Sequence, residues 1–359
     1  MHVRKLAALA GAAAVLVGAC STGGGGTASQ SAAAGGDGCT IGFSWNNYQE
    51  ERWAKWDEPA VKKAIEDGGG KYISNDAKSS AETQASNVEN LISQGAKVLI
   101  ILAQDDVAIL PSVQKAISEG IPVIAYDRLI EDPGVLYLTF DNVEVGRMQA
   151  REIFKAVPKG NYVIIKGNEA DNNSRFLRGG YEEIIGDAVK SGDIKIVGET
   201  FTDGWKPDIA QQHMEGFLTA NNNDVQAVLS ENDGMAGGVI AALAAQGLDG
   251  KTPVSGQDGD QTALNNVARG RQTVSVWKDA RELGKAAGEA AIALCKDKDV
   301  TKVPGTSKFT TPKNNSVTSN LLKPIPVLKD NLNVVVDAGW ITKDALCKDV
   351  TAGSVAACP

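Results

Sequence analysis

Polar side chains recur where apolar runs of this chain stop. The run Pro122–Tyr126 ends in Asp127-Arg128, two opposite charges side by side. Other runs end in Ser44-Trp45-Asn46-Asn47, Gln104-Asp105-Asp106, Gly167-Asn168, Asn232-Asp233, Gln257-Asp258 and Lys278-Asp279. A carboxylate only accepts hydrogen bonds, Arg and Lys only donate, and Asn does both. That mixture suits a neutral polyhydroxyl ligand, because a carboxylate or guanidinium can bridge two adjacent hydroxyls. Each hydrogen bond to a charged group contributes about 1.5–3 kcal/mol. Paired signs neither reject a neutral ligand nor demand an ionic one. Trp53 and Trp56 in "EERWAKW" and Trp205 in "DGWKPD" add ring faces on which apolar C–H surfaces can pack. Such packing adds about 0.5–1.5 kcal/mol beyond area burial.

Each feature has a plainer explanation when taken alone. Asp127-Arg128 fits a weak surface ion pair, and Trp53 fits a core position. Asn232-Asp233 and Asp258 fit helix caps. The binding reading rests on their convergence. Enzyme readings are weaker. "SVWK" at Ser275–Lys278 has the S-x-x-K spacing of serine β-lactam enzymes, but it falls on an expected strand and lacks the companion motifs. A glycosidase needs a carboxylic acid that stays protonated, and carboxylates beside Arg or Lys are held ionised. His213 falls within a helical pattern, as a packing or surface residue. No enzyme activity, cofactor or metal is expected.

The elements that carry these residues alternate. Strands are expected at Thr40–Ser44, Lys71–Asn75, Val98–Leu102, Val123–Tyr126 and Leu136–Phe140. A second series covers Tyr162–Lys166, Lys195–Thr200, Ala227–Ser230, Val254–Gly256 and Thr273–Trp277, and Leu332–Val336 reads as a last strand. Helical patterns lie between most of them. Ser79-Ser80 can cap a helix carrying Val88, Leu91 and Ile92 on one face, with a stop at Gly95. Pro207 sits in the first turn of a helix reaching about Asn221. Continuously apolar strands joined by helices imply parallel, doubly wound sheets, and two series imply two α/β domains. Ligands of such sheets bind beyond the carboxyl ends of the strands, where the polar residues gather. The stretch Thr301–Asn320, with Pro304 and Pro312, reads as surface loop and hinge crossing.

The chain has 359 residues, 43% of them hydrophobic, and a net charge of −8 with signs mixed along it. That argues against nucleic acid, which needs a basic face. Arg4 and Lys5 precede the apolar Leu6–Val17, which is too short for a stable span and has the layout of a secretory signal. Val17-Gly18-Ala19-Cys20 looks like a lipobox, with Cys20 as the lipidated residue. The Gly/Ser/Ala-rich stretch to Gly38 suits a flexible tether. Cys39, Cys295, Cys347 and Cys358 in an exported chain allow up to two disulfides, with three pairings open. Cys347 and Cys358 could close a short loop. The cysteine spacing fits no metal motif.

"VIAYDR", "DNNSRFLRGG", "TDGWKPD", "TANNNDVQAVLSENDGMAGG", "ALAAQGL", "VSGQDGD" and "TVSVWKDA" together resemble the D-xylose-binding proteins of ABC sugar importers. These have the type I periplasmic-binding fold, and relatives bind glucose, galactose and other monosaccharides. The resemblance runs from about Cys39 to Ile341. It implies an α/β chain of two doubly wound parallel-sheet domains joined by a three-crossing hinge. The crossings are expected near Asn142, Ser275–Lys278 and Val317–Leu322. The implied ligand-binding residues are Arg52, Trp53, Asp127, Arg128, Asn173, Trp205, Asn232, Asp258 and Lys278. Two departures stand out: "SWNNYQEERW" differs from the usual first loop, and Trp277 stands where tyrosine is more usual.

The expected organisation is a signal at 1–19, a lipid-anchored linker at 20–38, a first lobe of 39–141 plus 278–318, a second lobe of 142–277 plus 319–345, and a tail at 346–359. The expected function is that of an extracytoplasmic binding lipoprotein, anchored at the outer face of the cell membrane. It would bind a monosaccharide, xylose first, by hinge closure and present it to an ABC permease, as a monomer. Alternatives are a glucose/galactose-type binder or a sensor feeding a membrane receptor.

Overall fold

The computed structural model describes Gly38–Pro359. The signal segment, Cys20 and the linker up to Asp37 lie outside the described residues.

The first half places β1 (Thr40–Trp45), β2 (Lys71–Asp76), β3 (Val98–Ile101), β4 (Val123–Tyr126) and β5 (Val135–Phe140) in one sheet. Helices α1 (Glu58–Asp67), α2 (Ala81–Ser93) and α3 (Leu110–Ser118) connect them. Every residue of β3, β4 and β5 is buried. Helices on both faces explain why these strands read as unbroken apolar runs rather than alternating ones. Ser80 caps α2 by accepting from the Thr83 N–H, as its position before the apolar face predicts.

The second half contains α4 (Asn142–Ala156), β6 (Gly160–Lys166), α5 (Asn172–Ser191), β7 (Ile194–Phe201), α6 (Pro207–Ala220), β8 (Ala227–Ser230), α7 (Asp233–Ala245), β9 (Ser255–Asp258), α8 (Gln261–Ala268) and β10 (Val274–Trp277). Here β7-β6-β8 form one small parallel sheet and β9 pairs parallel with β10 in another. A parallel bridge, Val228 to Val254, joins β8 to the residue before β9. Helices α4 and α5 cross closely because Gly146 and Gly180 lie at the contact. A Cβ at either would come within 2.3 Å of the carbonyl of Leu177 or Val143, respectively.

The chain then returns to the first sheet through α9 (Ala280–Lys296), whose small residues pack on α1. Next come β11 (Ser307–Thr310), β12 (Ser316–Leu322), β13 (Ile325–Val327), α10 (Asn333–Asp337) and α11 (Lys343–Leu346). The first sheet is ordered β11-β12-β5-β4-β3-β1-β2, and β13 completes the order β13-β10-β9. This is the type I periplasmic-binding fold, with the chain passing between sheets at Asp141, at Lys278-Asp279 and after Leu322.

Three expectations change. The stretch Thr301–Asn320 is not all loop: β11 and β12 pair antiparallel, and β12 runs parallel to β5. Phe309 packs on Tyr137 and Phe176, so one aromatic anchors a segment whose polar composition hid it. Because β12 stays in the first sheet to Leu322, the third crossing falls beyond the expected boundary at Thr318. Leu332–Val336 is helical: Leu332 and Val335, three apart, are buried while Asn333 is exposed, a helical period mistaken for a buried strand.

The disulfides are Cys39–Cys295 and Cys347–Cys358. The first ties the start of the first sheet to the end of α9. The second closes the tail, where Leu346, Val355 and Cys358 pack with Leu264 and Trp340. Among the described residues, no helix is long and apolar enough to cross a membrane.

Candidate functional site

All nine sequence-selected residues line a single small cavity between the two lobes, beyond the carboxyl ends of the strands. The first lobe supplies Arg52 and Trp53 from the turn after β1, and Asp127 and Arg128 from the end of β4. The second supplies Asn173 from the first turn of α5, Trp205 from the loop after β7, Asn232 from the end of β8 and Asp258 from the end of β9. Lys278 stands at the β10 crossing.

Arg52 is the centre of the ion network. Its Nε and Nη2 donate to Asp57 at 3.0 and 2.7 Å. Its Nη1 donates to Asp127 at 3.1 Å and to Asp258, in the other lobe, at 3.3 Å. Lys278 Nζ meets the same Asp258 oxygen at 2.9 Å. Burial alone would disfavour the Arg52 charge, but the three carboxylates outweigh it and push its pKa well above the usual value. Burial likewise works against ionised Asp127; Arg52, Lys278 and Arg128 overcome it and hold its carboxyl below the usual range.

A second set of bonds fixes the Asp127 turn. Thr139 Oγ1 donates to the Asp127 carbonyl at 2.8 Å. Asn173 Nδ2 reaches the Asp127 carbonyl at 3.2 Å and its Oδ2 at 3.3 Å. Asn142 Nδ2 in turn holds Asn173 Oδ1 at 2.9 Å. Arg128 pairs with Asp171 at 2.9 Å and donates to the Ala103 carbonyl at 2.9 Å. Asp127, Trp205 and Asp258 all have positive φ, at 61°, 59° and 99°. Non-glycine residues rarely adopt that conformation, and such strain gathers at functional sites.

The plainer explanations can be judged in turn. Asp127-Arg128 is a buried pair whose partners lie elsewhere, not a surface pair. Asn232 does cap α7, accepting from the Met235 N–H at 2.9 Å, and lines the cavity as well. Asp258 caps no helix; the N-cap position of α8 is Asp260. Ser275 donates to Asp233 at 2.6 Å on a strand, away from any nucleophile geometry. Trp56 does not line this cavity but a separate one beside Arg281; it stacks on Trp340 at 4.6 Å, with Arg281 over both rings.

Sequence reasoning named Gln257 as a strand end but assigned no ligand role to it, nor to Glu50 or Asp171, and all three line the same cavity. Asp171 opens the "DNN" motif and Gln257 precedes Asp258, so both were adjacent to recognised signals. Glu50 lies in the loop whose sequence departs from the family pattern, where no signal marked it.

The cavity measures only about 20 Å³, because the charged ends bond one another across it. A ring can enter only if the lobes part and its hydroxyls replace contacts such as Arg52–Asp258. An outer cavity of about 510 Å³ adjoins it, sharing Glu50, Trp205 and Asn232 as walls. Trp205 Nε1 and Gln257 Oε1 have no protein partner, though buried polar atoms are rarely left so. Among the described residues, no cluster of acidic, Cys or His side chains could hold a metal ion.

Residues 41–299 match the model of a periplasmic binding protein domain. The chain is 41% identical over 300 residues to the D-xylose-binding periplasmic protein of Escherichia coli, covering 82% of this chain and 88% of that one. It is 32% identical over 333 residues to the multiple sugar-binding periplasmic receptor ChvE of Rhizobium radiobacter, covering 86% and 92%. A solved solute-binding protein of Clostridium phytofermentans with bound β-D-glucose superposes with TM-score 0.76 at 29% identity, over 86% of this chain and 99% of that one.

Proposed function

Since the chain belongs to the periplasmic binding protein domain family, we propose that it is the extracytoplasmic binding lipoprotein of an ABC sugar importer, lipidated at Cys20, with D-xylose as its ligand. The observation that carries this is the convergence of two lobes on one polar cavity. Arg52 and Asp127 from one lobe and Asp258 and Asn173 from the other bond each other directly. Groups so placed can bond one neutral ring from both sides.

Binding proceeds by hinge closure. The ring enters an open cleft and settles against Trp53 and Trp205. Its hydroxyls take over donors and acceptors that otherwise satisfy each other. Exchange of this kind leaves no buried charge unpaired, which matters because an uncompensated buried charge costs about 3–5 kcal/mol. Ligand stabilises the closed form only by as much as it binds that form better. The closed form is then the shape a membrane permease reads. Nothing in this cycle makes or breaks a covalent bond.

The 41% identity to a D-xylose-binding protein supports a pentose. A hexose is the second reading, favoured by the glucose-bound structure at 29% identity. Titration calorimetry of pentoses and hexoses against residues from Cys39 onward tests both. A pentose preference supports the first reading, a hexose preference supports the second, and no heat with any sugar refutes the proposal.

A further inference from the structure

We propose that Glu50 is a ligand-contacting specificity residue: its carboxylate accepts a hydroxyl on the mouth side of the ring and restricts the site to neutral sugars, excluding sugar acids. This rests on the sugar-binding reading above and narrows its substrate class.

Two observations carry it. The first is placement. Glu50 lines both the inner cavity and the adjoining outer one, so it stands where a ring's outward substituents must pass. Its side chain is 12% exposed. One oxygen is occupied, since Trp53 Nε1 donates to Oε2 at 2.5 Å. The other, Oε1, meets Arg128 only at 3.9 Å, outside hydrogen-bond range. A backbone N–H also bonds the carboxylate, and with about four acceptor positions on its two oxygens it keeps capacity to spare.

The second is the charge count around the cavity. Its three cations are each matched: Arg52 by Asp127, Arg128 by Asp171, and Lys278 by Asp258. Glu50 is a fourth carboxylate, and its ion-pair partner, Arg128, lies 3.9 Å away and is bound more closely to Asp171. A hydroxyl donor relieves it. A ligand carboxylate would face an unbalanced negative wall at short range, where the low local dielectric strengthens repulsion.

The test is calorimetry at pH 8 with xylose, glucose and glucuronate against wild type, Glu50→Gln, Glu50→Leu and Trp53→Phe. Burial raises the Glu50 pKa above its ordinary value, and pH 8 favours the ionised form over any lower pH. Wild type is expected to bind a neutral sugar and to reject glucuronate. Glu50→Leu should lose at least tenfold in neutral-sugar affinity, as expected for one hydrogen bond to a charged group. Glu50→Gln keeps one amide oxygen as the acceptor for Trp53 and presents its NH2 to a hydroxyl, which can accept as well as donate. It should hold neutral sugars within about fivefold, and its preference for them over glucuronate should fall at least tenfold. Neutral-sugar affinity equal to wild type in Glu50→Leu overturns the contact, and an unchanged preference in Glu50→Gln overturns the exclusion. So does a loss in Glu50→Leu that Trp53→Phe reproduces in full, which would reduce Glu50 to a support for the indole. Failure of wild type itself to bind any neutral sugar is a different result: it removes the reading of the site on which this rests.

Discussion

The indole of Trp205 lies directly on the backbone of Gly167. A Cβ placed at Gly167 would come within 2.2 Å of the six-membered part of the ring. The turn after β6 thus sets the position of the Trp205 ring in the cavity wall, and only glycine permits it. Trp205 is itself held at φ 59°, next to Gly204 at the same angle, so the loop has little freedom to absorb a push. Gly167→Ala should therefore displace the ring and lower affinity for every sugar bound by about tenfold. The fold should lose about 1–3 kcal/mol, as for other overpacked sites. Trp205→Ala should weaken all sugars in the same unselective way. Selective loss of one sugar in either variant would contradict the platform role.

Asp258 couples the lobes most directly, bonding Arg52 at 3.3 Å and Lys278 at 2.9 Å. Asp258→Ala leaves two buried cations short of a partner in the closed form only. Binding should fall beyond detection in calorimetry. The thermal midpoint of the sugar-free protein should shift by no more than a few degrees, because an open cleft lets water reach both cations. Retained affinity would remove Asp258 from the site.

Much of this was legible in sequence, for physical reasons. Parallel strands covered on both faces announce themselves as apolar runs, and their polar ends mark the binding edge. Asp127, Arg128, Asn232 and Asp258 stand at such ends, the family resemblance singled them out as ligand residues, and all four line the cavity. The legibility failed where segments were short and solvent-exposed. Ser307–Thr310 is an edge strand with mostly exposed side chains, and its partner β12 begins in a polar run. Neither shows a period. Leu332–Val336 is too short for a three-residue period to stand out from a strand's. Glu50 could not be found, because a carboxylate in an irregular loop looks the same whether it faces a cavity or solvent.

The disulfides differ in the loops they close. Cys39 and Cys295 are 256 residues apart, and Cys347 and Cys358 are 11 apart. The chain-entropy model assigns about 5 kcal/mol to the longer loop and about 3 kcal/mol to the shorter. Paired Cys→Ser replacement at Cys39 and Cys295 should lower the urea midpoint more than replacement at Cys347 and Cys358. Sugar affinity should survive the second pair of changes, since the tail lies off the cavity. The reverse order of midpoints would show that native-state packing, not loop closure, sets the contribution.

The acid limb of stability should report on Asp127. Its carboxyl is held below the usual range because Arg52, Lys278 and Arg128 outweigh its burial. A depressed folded pKa means the unfolded chain binds the proton more readily. The stabilisation is therefore fully present above the unfolded value of about 3.9 and is lost as pH falls through the lower folded value. Asp127→Asn should cost about 1–3 kcal/mol at pH 7. The gap between wild type and variant should stay constant from pH 7 to about pH 5 and narrow only below about pH 4. Urea unfolding of both proteins across that range measures it. A gap that closes between pH 7 and 5 would mean that burial wins and that Asp127 is not an ionised partner of Arg52.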